Sequence, residues 1–248
     1  MFQIQLRYFQ YILSLAIFVG ILISSIPLIS SCFVGLTLIW LTEMLSGQFD
    51  VNSDKYYVIL ILLLMSFSPV ALNNFVSLID SNLLFIIFLI ILLMFFLFQR
   101  NVNIFKIGNS LFLTVITFLV NGYIVDPFFQ ENIFYLAYIF LLLLFLKTLA
   151  TYFNVQFGNF QFFFNFFLVF IIFNGISSFY DFKTVNIFIA GTSIALLTTF
   201  ITYVFTKLRF EYEITSKLSS QIYVFDYMFA FLLSLYLLDA LNVVNGLF

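Results

Sequence analysis

Of 248 residues, 64% are hydrophobic and only 8% are charged, where an ordinary soluble domain carries roughly a quarter charged residues. So few polar side chains cannot cover a soluble fold of this size, and a formal net charge of −2 leaves no basic patch for nucleic acid. Histidine is absent and Cys32 is the single cysteine. A haem, copper or zinc site of the usual kind, an iron–sulfur cluster or an internal disulfide held by this chain alone is therefore not expected.

Apolar stretches recur from end to end, so lipid is the expected solvent for most of the surface. The fold class read from this pattern is all-α: a polytopic integral membrane protein with eight or nine transmembrane helices, short loops and a single transmembrane domain over 1–248. The first apolar region, Tyr8 to Met44, is too long for one straight span, and Ser24-Ser25-Ile26-Pro27 interrupts it. Proline disfavours the helical conformation of the residue before it, so two short spans near 8–25 and 28–44 are expected to form a tight hairpin. The alternative is one long helix kinked at Pro27. A polar loop follows from Gly47 to Lys55. Further spans are expected near 56–79, 82–99, 107–125, 132–152, 159–180, 184–206 and 221–244, each close to the roughly 20 residues that cross a hydrocarbon core. Lys207 to Ser220 is the longest polar stretch.

Charge placement agrees with such a topology. With nine spans, Arg7, Lys55, Arg100, Lys106, Lys147, Lys207, Arg209 and Lys217 share one side and Lys183 falls on the other. The positive-inside rule makes the basic side the matrix or cytoplasm, with Asp80, Asp126 and Glu131 opposite. Phe occurs 40 times, with much Ile, Leu, Asn and Tyr and three Pro. These residues have T- and A-rich codons, and the bias reads as that of an AT-rich genome, mitochondrial by expectation, with an AT-rich bacterium as the alternative. Residues 8–25 imitate a signal peptide without a small-residue cleavage site, and no Arg- and Ser-rich presequence is seen. Insertion from inside the organelle is the expectation.

Ionisable groups within spans are functional candidates because a charge in hydrocarbon is costly. Lys147 ends the leucine run that begins at Ile139, and snorkelling to the basic interface is its expected behaviour. Asp226 and Asp239 lie in the last segment and are expected at the interface and near the wet end of the helix, respectively. Pro69, in Phe67-Ser68-Pro69-Val70, frees a backbone carbonyl that the amides of Asn73 and Asn74 are placed to satisfy. A helix broken in this way either lines an ion path or kinks against its neighbours. Gly191-Thr192-Ser193 with Ala195 is a small-residue patch suited to close helix contact. There is no Walker loop, dinucleotide fingerprint, HExxH or histidine-containing triad, so no catalytic, cofactor-binding or metal-binding residue is expected.

At the C-terminus, Tyr227-Met228-Phe229 leads to Tyr236-Leu237-Leu238-Asp239-Ala240-Leu241-Asn242. This segment resembles subunit a of mitochondrial F-type ATP synthase, which tends to end in a Tyr-Leu-x-Asp-Ala-Ile-Asn close. Ala190-Gly191 matches the family's Ala-Gly pair one helix earlier. The same register puts Lys183 where that family carries its essential arginine, and lysine lacks arginine's planar fork. Ser24-Ser25-Ile26-Pro27-Leu28-Ile29-Ser30 resembles the turn after the first helix of complex I subunit 6. Thr198-Thr199-Phe200 to Lys207, with Asp226 and Phe231-Leu232, is loosely similar to the last two helices of cytochrome oxidase subunit III. The twin-arginine translocase channel subunit has a similar length.

These resemblances imply a hydrophobic membrane subunit of a mitochondrial inner-membrane oxidative-phosphorylation complex, with basic loops on the matrix side. It would be structural or line a proton path, without cofactor and not catalytic alone, its partners being other subunits and lipids. Lys147, Lys183, Asp226, Asp239, Asn73 and Asn74 are the polar intramembrane candidates. A complex I or cytochrome oxidase subunit, or a self-standing transporter or translocase, is the alternative.

Overall fold

The computed structural model describes residues 2–48, 55–75, 86, 90, 104–152, 161–178, 184–211 and 222–241. Among the described residues all regular structure is helical. The helices are α1 (Phe2–Leu22), α2 (Ile26–Gln48), α3 (Lys55–Phe75), α4 (Ile104–Ile124), α5 (Pro127–Glu131), α6 (Ile133–Tyr152), α7 (Gln161–Ser177), α8 (Thr184–Glu211) and α9 (Ile222–Ala240). The span expected at 82–99 lies outside the described residues, apart from Ile86 and Ile90, which are helical. Ile26–Leu45, Ile133–Ala150 and Ile187–Leu208 are long and apolar enough to cross a membrane, and Tyr8–Leu22, Ile59–Val70, Gly108–Ile124 and Phe162–Ser177 are shorter apolar helices. The molecule is a helical membrane protein whose chain divides into two compact units, Met1–Ile133 and Phe134–Phe248.

Large apolar side chains face outward in both units: Tyr8, Leu15 and Leu22 on α1, Phe145 on α6, Ile171 on α7 and Phe200 on α8. In water a surface of this kind marks aggregation or an interface; in lipid it is the ordinary exterior, since acyl chains are as apolar as leucine.

In the first unit the hairpin forms and the single kinked helix does not. At the end of α1, Ser25 N–H donates to the Gly20 carbonyl (2.9 Å) and Ser24 N–H to that of Ile21 (3.1 Å). Ser24 is left-handed, with φ 54°. This pattern is a Schellman ending with serine where glycine is usual. Pro27 then sits in the first turn of α2, where a missing N–H costs nothing. Small residues let α1 and α2 approach: a Cβ on Gly20 would lie 2.7 Å from Ile29 Cγ1, and one on Gly35 would lie 2.9 Å from Leu13 Cδ1.

Pro69 lies inside α3, and two donors satisfy the carbonyls around it. Ser68 Oγ donates to the Met65 carbonyl (2.8 Å), the acceptor that a residue-69 N–H would have used. Asn121 Nδ2 on α4 donates to the Ser66 carbonyl (2.8 Å). Thr37 Oγ1 on α2 reaches Asn121 Oδ1 at 2.5 Å, so one amide links α2, α3 and α4. Below it, Tyr123, Phe129 and Phe33 pack edge to face, with centroids 5.2 and 5.6 Å apart. Short α5 carries Phe129 into this cluster, and Asp126 caps its start by accepting from Phe128 N–H (2.9 Å).

In the second unit α9 is the enclosed helix, with every residue from Val224 to Leu235 buried. Thr198 Oγ1 on α8 donates to Ser234 Oγ on α9 (3.1 Å), and Phe205 meets Phe229 at 5.8 Å. The small-residue patch does pack closely. The Asn174 side chain of α7 lies against Gly191 of α8, and a Cβ there would come within 2.8 Å of Asn174 Cγ.

Candidate functional site

Lys147 lies five residues before the end of α6, on the face that also buries Tyr135, Ile139, Phe140 and Leu143. Tyr138, Leu142 and Phe145 take the outer face. At 4% exposure Lys147 does not snorkel outward as the sequence suggested. The reason stands opposite it on α7: Asn165 offers Oδ1, and Lys147 Nζ donates to it at 2.6 Å. With an acceptor inside the unit, the ammonium need not reach water.

Two aromatic faces complete the surroundings. Lys147 Nζ lies 5.2 Å from the centroid of Tyr227 on α9 and 5.6 Å from that of Phe164 on α7. A cation over such rings gains about 2 kcal/mol when desolvated. Tyr227 is also anchored, its hydroxyl donating to the Asn165 main-chain carbonyl at 2.7 Å. Asn165 therefore serves three helices, holding the lysine of α6 by its side chain and the tyrosine of α9 by its backbone. A second clamp joins α6 to α7: Ser177 Oγ donates to the Phe173 carbonyl (2.5 Å), so the Tyr135 hydroxyl donates to Ser177. The clamps are twelve residues apart on each helix, about 18 Å at the helical rise. They fix the antiparallel register of α6 and α7.

Asp226, one residue before Tyr227, is fully buried, at 0% exposure. The sequence reading took its depth from its distance to the start of the span; its burial comes from α9 being enclosed from Val224 onward. Among the described side chains of the second unit, the buried charged residues are Lys147 and Asp226. Asp239 is half-buried in the last turn of α9. Asn73 and Asn74 fall at the end of α3, where their side chains lie outside the described residues, as does Lys183 altogether. The donors seen around Pro69 are Ser68 and Asn121.

Asn165, Glu43 and Gln10 were not singled out from sequence. Asn165 interrupts the run Phe162–Phe173 and Glu43 lies inside the second expected span. The cost of polar groups in hydrocarbon would have flagged both. Among the described residues no group of three or more His, Cys, Asp and Glu is placed to hold a metal ion. What the Lys147 site can do is electrostatic: it fixes a positive charge within the second unit. Compared with protein-family models, with curated proteins and with solved structures, the chain matches none.

Proposed function

We propose that the chain is a membrane subunit of a mitochondrial inner-membrane oxidative-phosphorylation complex, with eight or nine crossing helices and a mainly structural role. The observation that carries this reading is the division of side chains. Large apolar groups cover the outside of each unit, while amide, hydroxyl and ammonium groups bond one another inside. A body of this kind is suited to being held among lipids and other subunits. The codon-biased composition, with 40 Phe, supports a mitochondrial origin. The Tyr236 to Asn242 segment favours an ATP synthase subunit a-like place among such complexes, with Lys183 at that family's arginine position. Polar groups within the units leave room for a proton path beside the structural role.

Mild detergent extraction of mitochondrial membranes, native electrophoresis and mass spectrometry of the band holding this chain test the proposal. Co-migration with rotor-ring and F1 subunits is the expected outcome. Co-migration with haem-, copper- or flavin-bearing subunits would move the chain to the respiratory chain, and a free monomer would defeat the proposal.

A further inference from the structure

In the second unit, the outer face of α8 carries a series that changes character along its length. Leu196, Phe200 and Tyr203 are each at least half exposed, and Lys207 is exposed beyond them. Positions spaced by four, three and four residues fall on one line along a helix. Thr198, Thr202 and Phe205 lie on the opposite side and are buried. Lys207 stands at the end of the apolar stretch Ile187–Leu208, where a crossing helix reaches the headgroups. From Leu196 to Lys207 the helix rises about 16 Å, close to the roughly 15 Å of hydrocarbon in one leaflet. The Lys207 side chain turns back along the helix, as long helical side chains do. Its Nζ lies 5.5 Å from the centroid of Tyr203, one turn earlier, and so points away from the position of Glu211, one turn later. Lys147 also lies over aromatic rings, but it has Asn165 as an acceptor inside the unit. Among the described residues none accepts a hydrogen bond from the Lys207 ammonium.

An ammonium held at headgroup depth over a lipid-facing ring still offers N–H donors. The acceptor that fits it is anionic, sits at the same depth and continues into hydrocarbon beside Phe200 and Leu196. A phospholipid phosphate meets all three conditions; free phosphate shares the charge but has no chain for the apolar stripe. We propose that Tyr203 and Lys207 form a binding site for an anionic phospholipid, its phosphate on Lys207 Nζ and one acyl chain along Phe200 and Leu196. The Tyr203 hydroxyl is a second donor at the same level. A zwitterionic lipid brings its own ammonium, which competes with Lys207 for the phosphate, so the site favours lipids of net negative charge. One basic residue at an anionic membrane surface is worth about fivefold in binding. The inference goes beyond the proposed subunit role and rests only on the chain lying in a membrane.

The test titrates the full chain in detergent micelles with phosphatidylglycerol or phosphatidylcholine, and native mass spectrometry counts the bound lipid. The expected result is retention of phosphatidylglycerol about fivefold tighter than phosphatidylcholine. Lys207→Gln should remove most of that preference, Lys207→Arg should keep it, and added inorganic phosphate should not displace the lipid. Equal retention of the two lipids, a preference that Lys207→Gln leaves intact, or displacement by inorganic phosphate overturns the proposal. A second measurement needs no variant. Phosphatidylglycerol carrying a diazirine in its acyl chain should label the segment from Leu196 to Tyr203 more than the matching phosphatidylcholine does, and equal labelling overturns the proposal. Neither measurement depends on complex membership, so failure of the subunit reading leaves the lipid site standing, and the reverse holds as well.

Discussion

Replacing Asn165 with Leu would remove the oxygen that accepts from Lys147 Nζ at 2.6 Å and leave the ammonium in a site that is 4% exposed. A hydrogen bond to a charged group contributes about 1.5–3 kcal/mol, and taking one partner from a buried pair costs about 3–5 kcal/mol. The rings of Phe164 and Tyr227 remain and offset part of the loss. We therefore expect Asn165→Leu to destabilise the chain by about 3 kcal/mol. Lys147→Met keeps the length of the side chain but leaves the Asn165 oxygen unsatisfied, for about 2 kcal/mol. The double variant replaces both partners by apolar groups, and its cost should be only about 2 kcal/mol. Thermal unfolding of the detergent-solubilised full chain, followed by helical circular dichroism, reads the series. At about 2–4 °C per kcal/mol, Asn165→Leu should lower the midpoint by about 6–12 °C, and the double variant should stand above it. A double variant that loses the sum of the two singles would refute the pairing. An unchanged midpoint in Asn165→Leu would mean that Lys147 reaches the interface after all.

Ser24→Gly should stabilise the hairpin by about 1 kcal/mol, because glycine has no penalty at φ 54°; Ser24→Val, measured in the same melts, should destabilise it. Gly20→Val places carbon where Ile29 Cγ1 would be 2.7 Å away, and should cost about 1–3 kcal/mol; cysteine pairs introduced across α1 and α2 should then cross-link more slowly. Asn121→Leu removes the donor to the Ser66 carbonyl and the acceptor of Thr37, for a loss of about 2–4 kcal/mol. Pro69→Ala should slow hydrogen exchange in α3, since a residue-69 N–H can then reach the Met65 carbonyl that Ser68 Oγ now serves.

Helix positions were legible because length and hydropathy suffice where lipid is the solvent. The hairpin was legible from Ser24-Ser25-Ile26-Pro27, although it is the left-handed Ser24 that ends α1 and Pro27 that opens α2. Which way Lys147 faces was not legible. Every residue from Ile139 to Leu146 is apolar, so no polar position marks the outer side of α6. Its partner sits eighteen residues away on another helix. The enclosure of Asp226 was not legible for a similar reason: depth along a span says nothing about enclosure by neighbours. At Pro69 the local signal was present in the preceding residue, because Ser68 can back-bond to the carbonyl three residues before it. The role of Asn121 required knowledge of which helices pack together.

Cross-linking in intact mitochondrial membranes decides whether the chain belongs to a large membrane complex. Lys207 is exposed near the end of α8, its Nζ 5.5 Å from the Tyr203 ring, and is a ready target for a lysine-directed reagent. Links from Lys207 to subunits of one oxidative-phosphorylation complex, repeated across preparations, are the predicted result. Links only within the chain, or scattered over unrelated proteins, would rule such membership out.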